Sequence, residues 1–284
     1  MTTQKTGKFK CSIEEYNSYP AARNTLLKIL IDRTPAHYLY ALEHPSEPTP
    51  AKEMGSAIHQ AMLEPKLFKE KMIVTPVFEG KTKDGKITTN ANATEVKEKA
   101  AKWHMENHGK TILTPEQHYN IDGMLSAVSK HKKASELISE GHAEESLFWT
   151  DPETGIQCKA RPDFIREGHI LVDLKSTEDA SPATFKKDCL KYGYHFQAAM
   201  YLDAATAVYG QTFDTFVIVA VEKSAPWGVC CHYITEETLR EGQSLFYKSL
   251  GVLKKCMDTK TYPAYPNELM PLSLPTYGFR TEQE

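Results

Sequence analysis

The sequence predicts an α/β fold of the mixed α+β kind, with a central mixed β-sheet flanked by helices. Helical spacing of apolar residues dominates the first half of the 284-residue chain. Residues 144–174 instead contain short strand-like segments separated by turn signals, and helix and strand patterns alternate after them. These observations together indicate helices packed around one sheet.

Composition divides the chain into three segments. Residues 1–20 are polar and are expected to form a flexible N-terminus, and residues 21–261 are expected to form a single domain. Residues 262–284 contain prolines at 263, 266, 271 and 275, so we expect an extended tail that packs on the domain.

The elements of the first half follow from apolar spacing and from the positions of proline. A helix begins near Arg23 and is interrupted by Pro35, and a proline-rich loop separates the next two helices. The predicted elements are a helix from about 23 to 34, a short helix through 38–42, a helix from about 53 to 63, a lysine-rich loop at 79–90, and two or three helices within 91–140.

In the second half, the segment Asp151–Gly155 and the segment Glu167–His169 are turn signals between strands. The later pattern is helix, helix, strand, strand, helix. These elements are predicted at about 182–189, 194–208, 214–221, 228–234 and 236–256.

Bulk properties exclude several classes of protein. No stretch approaches the roughly 20 apolar residues of a membrane helix, and the polar start shows no secretory signal, so we expect a cytoplasmic protein without membrane contact. The six cysteines form no C-x-x-C pair, which favours reduced thiols over a zinc site. The net charge of −3 lacks the basic excess common in nucleic-acid binders, although local basic surfaces remain possible.

The most informative segment runs from Arg161 to Lys175. If it forms a hairpin with its tip at Gly168, Asp163 lies opposite Asp173, and opposed residues share a face of an antiparallel pair. Lys175, two residues after Asp173, lies on that face as well. The hairpin therefore brings two carboxylates and one ammonium together.

Opposed carboxylates repel, and a divalent cation such as Mg²⁺ or Mn²⁺ would offset that repulsion. Lys175 could then orient or deprotonate a water molecule, or stabilise negative charge on a phosphate. The alternative is a surface hairpin in which Asp and Lys form ordinary ion pairs.

Three further elements could contribute to the same site. Gly55 and His59 are one helical turn apart, as are Gln197 and Tyr201, although in isolation such pairs are more often structural. A carboxylate before residue 146 could also contribute, and strand register leaves its identity open. A turn centred on residue 153 would place Glu145 opposite Arg161, whereas a one-residue bulge would place Glu144 opposite Asp163.

The order His, Glu, Asp, Asp-x-Lys, Gln-x-x-x-Tyr resembles the PD-(D/E)xK nuclease superfamily. Within its RecB-type branch, the chain resembles the exonuclease VIII nuclease family of phage-type recombination exonucleases over about residues 25–276. The segments that carry this resemblance are Gly55-x-Ala-x-His59, Leu63-Glu-Pro65, Gly141-His-Ala-Glu144, Trp149-x-Asp-Pro-Glu-Thr-Gly155, Arg161-Pro-Asp163, Asp173-Leu-Lys175, Gln197-x-x-x-Tyr201 and Leu272-Ser-Leu-Pro275.

The resemblance implies an enzyme that digests linear double-stranded DNA 5′ to 3′ and leaves 3′ single-stranded tails for recombination and repair. It implies two Mg²⁺ ions, for which Mn²⁺ could substitute. It also implies a single-strand annealing protein as partner and a ring-shaped homo-oligomer around DNA. An endonuclease or a single-strand-specific nuclease of the same superfamily is the first alternative, and a non-catalytic DNA-binding module is the second.

Site residues carried over from the family motif fall into three groups. The metal ligands would be His59, Asp163, Asp173 and the carbonyl of Leu174, with Glu144 holding a second metal or its water. The catalytic group would comprise Lys175 with Glu144, Asp173, Gln197 and Tyr201. The DNA contacts would be Arg161 with Gln197 and Tyr201. Outside the motif, basic residues that could form a DNA path are Lys186, Lys187 and Lys191 and the loop lysines Lys81, Lys83 and Lys86.

Overall fold

A computed structural model describes residues 5–47 and 49–273 of the chain. Its helices are α1 Ile13–Ser18, α2 Asn24–Leu27, α3 Ile29–Asp32, α4 Pro35–Glu43, α5 Pro50–Leu63, α6 Pro65–Lys71, α7 Thr94–Glu106, α8 Pro115–Lys130, α9 Lys132–Leu137, α10 Pro182–Tyr192, α11 Tyr194–Tyr209 and α12 Glu236–Thr259. Its strands are β1 Gly7–Phe9, β2 Met72–Val74, β3 Gly80–Lys81, β4 Ile87–Thr88, β5 Thr111–Leu113, β6 Gly141–Ala143, β7 Ser146–Thr150, β8 Gln157–Ala160, β9 Phe164–Arg166, β10 Ile170–Thr177, β11 Thr215–Glu222 and β12 Val229–Tyr233.

The main sheet has five strands in the order β12-β11-β10-β9-β6. β10 and β11 are parallel and are connected through α10 and α11, whereas the other neighbours in this sheet are antiparallel. A second, antiparallel sheet has the order β1-β7-β8. The predicted mixed sheet flanked by helices is therefore confirmed.

Alternation along β10 and β11 separates two hydrophobic clusters. Leu171 and Ile218 belong to a cluster that includes buried residues of α11 and α12. Val172 and Val219 belong to a second cluster that includes buried residues of α5 and α8. Because side chains of a strand alternate between faces, Asp173 and Lys175 lie on the α11 face of the sheet, with Leu171.

Residues 5–20, the described part of the N-terminal segment, differ from the flexible segment that composition predicts. β1 pairs with β7, and α1 begins with a capping box between Ser12 and Glu15. The buried Lys159 ammonium donates to the carbonyls of Tyr16 and Tyr19, at 2.7 and 2.6 Å. These contacts join residues about 140 positions apart, so local composition does not reveal them.

The start of the tail contacts the domain, as its stacked and hydrogen-bonded residues show. The ring of Tyr262 stacks on Tyr38 at 6.4 Å, and the Ala36 amide donates to the carbonyl of Pro263 at 3.1 Å. Residues 263–273 are exposed. The end of the tail, with the second half of the Leu272–Pro275 motif, lies outside the described residues.

Three smaller expectations concern the loop at 79–90, the membrane and the thiols. The lysine-rich loop contains the two-residue strands β3 and β4, and its three lysines are exposed. In the described ranges, no helix combines the length and apolar character that membrane crossing requires. All six cysteines are free thiols.

Candidate active site

The hairpin of β9 and β10 has the register that the sequence predicts. Phe164 pairs with Val172, so Asp163 follows directly opposite Asp173. Both carboxylates are buried, with 8% and 1% of their surface exposed. The Leu174 amide donates to Asp163 Oδ2 at 2.7 Å, which ties the side chain before β9 to the backbone of β10.

Glu144, rather than Glu145, is the carboxylate that faces the site. Ala143 pairs with Phe164, and the Glu144 amide donates to the Asp163 carbonyl at 3.0 Å. This is the register expected from a one-residue bulge, which was one of the two alternatives that the sequence left open. Glu145 instead accepts a hydrogen bond from the hydroxyl of Tyr209.

A break in one long hairpin creates this arrangement. β6 and β7 pair with β9 and β8 respectively, and the strands are interrupted at residues 144–145 on one side and at residues 161–163 on the other. Glu144 has a φ of 53°, a left-handed conformation that non-glycine residues seldom adopt. This conformation breaks the alternation of side chains along the strand and turns the Glu144 side chain towards Asp163.

Gly141 permits the close approach of β6 to β9 beside this break. Its φ is +151°, and a Cβ atom there would overlap the carbonyl oxygen of Ile165. The glycine of the Gly141–Glu144 motif therefore has a steric function, whereas a Cβ at Gly55 would meet open space. Gly55 therefore does not mark a close backbone contact.

His59, Glu144 and Asp163 form a group that could hold a metal ion. Each offers one ligand atom, and these atoms all lie within 4.8 Å of one another. His59 Nδ1 lies 3.5 Å from Asp163 Oδ1. Burial, together with the neighbouring charge of Asp163, raises the pKa of Glu144. Two carboxylate oxygens and one imidazole nitrogen fit a divalent cation.

Asp173 lies beside this group and is held by two other side chains. Lys175 Nζ lies 2.5 Å from Asp173 Oδ2, and Gln197 Nε2 donates to Asp173 Oδ1 at 2.8 Å. Burial raises the pKa of Asp173 to about 6. These contacts place Gln197 at the site, whereas metal ligation by Asp173 and by the Leu174 carbonyl remains a prediction.

The ammonium of Lys175 is stabilised in its charged form. Burial by itself would lower the pKa of Lys175, but the adjacent carboxylates of Asp173 and Asp163 hold the pKa above its ordinary value. A lysine that stays protonated can donate hydrogen bonds and offset negative charge. It is less suited to removing a proton from water, which was one of the roles open at the level of sequence.

One face of α11 presents three polar side chains to the site. Gln197 and Tyr201 are one turn apart as predicted, and Tyr201 lines the cleft. Burial raises the pKa of Tyr201 well above its ordinary value, so its hydroxyl remains a donor. The third residue, Tyr194, was missed, although its spacing from Gln197 could have indicated it. Lys175 Nζ lies 5.1 Å from the centre of the Tyr194 ring.

An open cleft of about 470 Å³ gives access to the group of His59, Glu144 and Asp163. Part of its wall comes from α1 and its N-cap residue, through Tyr16 and Ser12, and part from α5, through Ser56 and Gln60. The α1 residues were missed because that segment was expected to be unstructured. Their presence here depends on the anchoring of α1 by Lys159.

Arg161 is engaged by the protein itself. Its Nε donates to Glu144 Oε2 at 2.7 Å. Its Nη1 donates to the Cys11 carbonyl at 2.9 Å and to Ser146 Oγ at 3.0 Å. These two nitrogens therefore already have partners within the protein, and contact of Arg161 with DNA remains a prediction. The guanidinium orients Glu144 and joins it to the N-terminal segment.

We expect Arg161→Ala to weaken divalent-metal binding by roughly 10- to 100-fold, because an outer residue that orients a ligand contributes about that much. Mn²⁺ affinity measured by calorimetry checks this without requiring activity. Arg166→Ala is the matched control, since Arg166 lies on β9 of the same hairpin and pairs with Glu136 of α9. An unchanged Mn²⁺ affinity in Arg161→Ala would contradict the orienting role.

The predicted DNA-contacting lysines are exposed. Lys186, Lys187 and Lys191 lie on α10, which follows the strand of Lys175. Lys81, Lys83 and Lys86 lie on the β3–β4 hairpin. Contact of either group with DNA remains a prediction.

Comparisons with known proteins agree with this geometry. A family model described as a PDDEXK-like domain of unknown function (DUF3799) matches residues 25–270. No curated protein sequence matches significantly. Among solved structures, the chain is similar to a protein from Eubacterium rectale provisionally described as an exonuclease. The TM-score is 0.62 and the identity 14%, over 95% of this chain and 100% of that one.

A weaker similarity links the chain to a phage-related exonuclease from Haemophilus somnus 129PT. Here the TM-score is 0.32 and the identity 14%, over 87% of this chain and 100% of the other. At such identities the Eubacterium rectale structure supports the fold alone, and the second similarity adds no further weight.

Proposed function

The chain belongs to the PDDEXK-like family DUF3799, and from this membership we propose that it is a metal-dependent nuclease acting on DNA. The observation that carries the proposal is the convergence of His59, Glu144 and Asp163 within 4.8 Å. Beside them, the Asp163–Asp173 register brings Lys175 to the same face. Acidic, imidazole and ammonium groups with this arrangement suit hydrolysis of a phosphodiester.

His59, Glu144 and Asp163 would hold the first divalent ion, with Mg²⁺ or Mn²⁺ as the proposed metal and a second ion nearby. The bound ion would polarise the phosphate and favour ionisation of a water molecule. Arg161 keeps Glu144 oriented through its 2.7 Å bond. The Leu174 amide and His59 hold Asp163 from two sides.

The remaining side chains position the substrate and stabilise charge. Lys175 Nζ, kept protonated by Asp173, offsets negative charge that develops on the phosphate. Gln197 fixes the Asp173 carboxylate at 2.8 Å, so Lys175 has a fixed counter-charge. The protonated hydroxyl of Tyr201 lines the cleft, where it can donate to a phosphate oxygen.

We further propose the specific activity of the exonuclease VIII family: 5′ to 3′ digestion of linear duplex DNA, leaving 3′ single-stranded tails. The motif order and the Gln-x-x-x-Tyr element support this specific form. The proposal includes a single-strand annealing partner, a ring-shaped homo-oligomer and action in the cytoplasm.

Digestion of three substrates with Mg²⁺ tests the proposal. They are linear duplex labelled at either end, covalently closed circular duplex, and linear single strands. We expect early release of the 5′ label from linear duplex, a surviving 3′ tail and intact circles. Cleaved circles would indicate an endonuclease, and digestion confined to single strands would indicate a single-strand-specific nuclease. DNA binding without any cleavage would leave only a binding module.

A further inference from the structure

A series of stacked aromatic rings leads from Lys175 to the protein surface. The Tyr194 ring contacts Lys175 Nζ on one side of this series. Phe185 and Tyr192 stack with Tyr194 at 5.8 and 5.7 Å between ring centres, with interplanar angles of 29° and 28°. Phe185 is buried, whereas 51% of the surface of Tyr192 is exposed. The series therefore ends in a ring that solvent reaches.

The junction between α10 and α11 produces this arrangement. α10 ends at Tyr192, Gly193 adopts a φ of 74°, and α11 begins at Tyr194. Because this φ is left-handed, a residue with a side chain would be strained at position 193. The tight turn between the helices places the two tyrosines side by side. Their stacking is thus a consequence of backbone geometry.

The surface around Tyr192 is basic and apolar. Lys191 Nζ lies 5.0 Å from the centre of the Tyr192 ring, and Leu190 is 75% exposed. Next to them lies an open groove of about 420 Å³, lined in part by Leu190, Lys191 and Lys28. The carboxylate in this groove, that of Asp32, is paired with Lys28. The local charge therefore favours an anionic ligand.

We propose that Tyr192 stacks on a base of single-stranded DNA, with Lys191 contacting the adjacent phosphate. Tyr194 supports Tyr192 from behind and links this surface to Lys175, so the strand is guided between the groove and the catalytic centre. The inference rests on the proposed function, since it assumes that a nucleic-acid strand reaches Lys175. Aromatic rings combined with lysines are the usual means of binding single strands without sequence preference.

The chemistry selects a single strand over a duplex. In a duplex each base is stacked on its neighbours, so its faces are closed to a protein ring. A single strand has open base faces, and each of the four bases offers one. An enzyme that leaves single-stranded tails would keep such a strand close to its active site by this contact.

The test uses a short oligo-dT strand that carries one 2-aminopurine, whose fluorescence falls when it stacks. Titrations are done in excess chelator, and a gel confirms that the strand stays intact. We expect quenching by the wild type and by Tyr192→Phe, which retains the ring. Tyr192→Ala should lose the quenching and bind the strand roughly 5- to 150-fold more weakly, the range for loss of one stacked base.

Two controls isolate the stacking contact. Tyr40→Ala removes another exposed tyrosine, whose ring stacks on His44 of the chain, and should match the wild type. Binding of a blunt duplex of equal length should change less than twofold in Tyr192→Ala. Thermal melting should show that the variants are folded, because Tyr192 is largely exposed.

The outcomes separate this inference from the proposed function. Unquenched fluorescence in the wild type, or equal losses for single strand and duplex in Tyr192→Ala, would overturn the stacking contact. If the wild type nevertheless cleaves DNA with Mg²⁺, the nuclease proposal stands alone. Quenching that depends on Tyr192 in a protein that never cleaves DNA would uphold the contact and reject the nuclease.

Discussion

Replacement of Lys175 by alanine or by arginine is expected to remove nearly all DNA cleavage while duplex binding persists. Lys175 Nζ lies 2.5 Å from Asp173 and beside the Tyr194 ring, in a site where both aspartates are buried. Arginine keeps the charge, but its planar, larger guanidinium cannot occupy the position of a compact ammonium. The loss of a preorganised charge-stabilising group should reduce the rate by roughly 10²- to 10³-fold or more.

The measurement is the rate of release of acid-soluble nucleotides, together with a gel-shift affinity at one fixed salt concentration. Binding should persist because phosphate contacts are spread over many residues. Lys254→Ala is the matched control, since Lys254 also pairs with an aspartate, Asp258, but on the surface of α12. Near-normal cleavage by Lys175→Arg would show that Lys175 supplies positive charge only, without the stereochemical role.

Asp163→Asn is expected to abolish both divalent-metal binding and cleavage. Asp163 is 8% exposed and belongs to the group with His59 and Glu144. An asparagine has nearly the same shape and can still accept from the Leu174 amide through its carbonyl oxygen, so the hairpin should keep its register. Asparagine lacks the negative charge of the aspartate ligand. A loss of several kcal/mol of metal-dependent transition-state stabilisation corresponds to a cleavage rate lower by roughly 10²- to 10⁴-fold.

Calorimetry with Mn²⁺ and cleavage assays with Mg²⁺, Mn²⁺ and Ca²⁺ test this expectation. Mg²⁺ and Mn²⁺ should support cleavage by the wild type, whereas Ca²⁺ should bind without supporting turnover. Asp122→Asn is the control, because Asp122 also faces a histidine, His118, at 3.3 Å but on the exposed surface of α8. Full wild-type activity in excess chelator would exclude the metal mechanism altogether.

Features set by local pattern could be predicted from the sequence. The apolar period and the turn residues indicated α11, β11, β12 and α12, whose observed bounds lie within a few residues of those expected. The register of the Asp163–Asp173 hairpin followed from its turn, because in a tight hairpin the turn determines which residues oppose each other. Family membership followed from the order of the motif residues.

The structure of residues 5–20 could not be predicted in this way. The segment is polar and short of apolar residues, which is typical of a flexible end. It is held instead by Lys159 and by pairing of β1 with β7, contacts that join residues about 140 positions apart. No periodicity records such contacts, because they involve single side chains and the edge of another strand.

The assignment of roles within the site also depended on the tertiary structure. The sequence left Glu144 and Glu145 open, and the left-handed conformation of Glu144 turns it towards Asp163. The hydrogen bond from Arg161 to Glu144 was not predicted, because only the tertiary structure brings the two side chains together. A role for Tyr194 was not predicted, and its ring lies against Lys175. The sequence by itself determined the fold and which chemical groups are present, because periodicity and turn chemistry are local. Packing decided which atoms these chemical groups contact, since a buried polar group must satisfy its hydrogen bonds with whichever atoms the fold brings near.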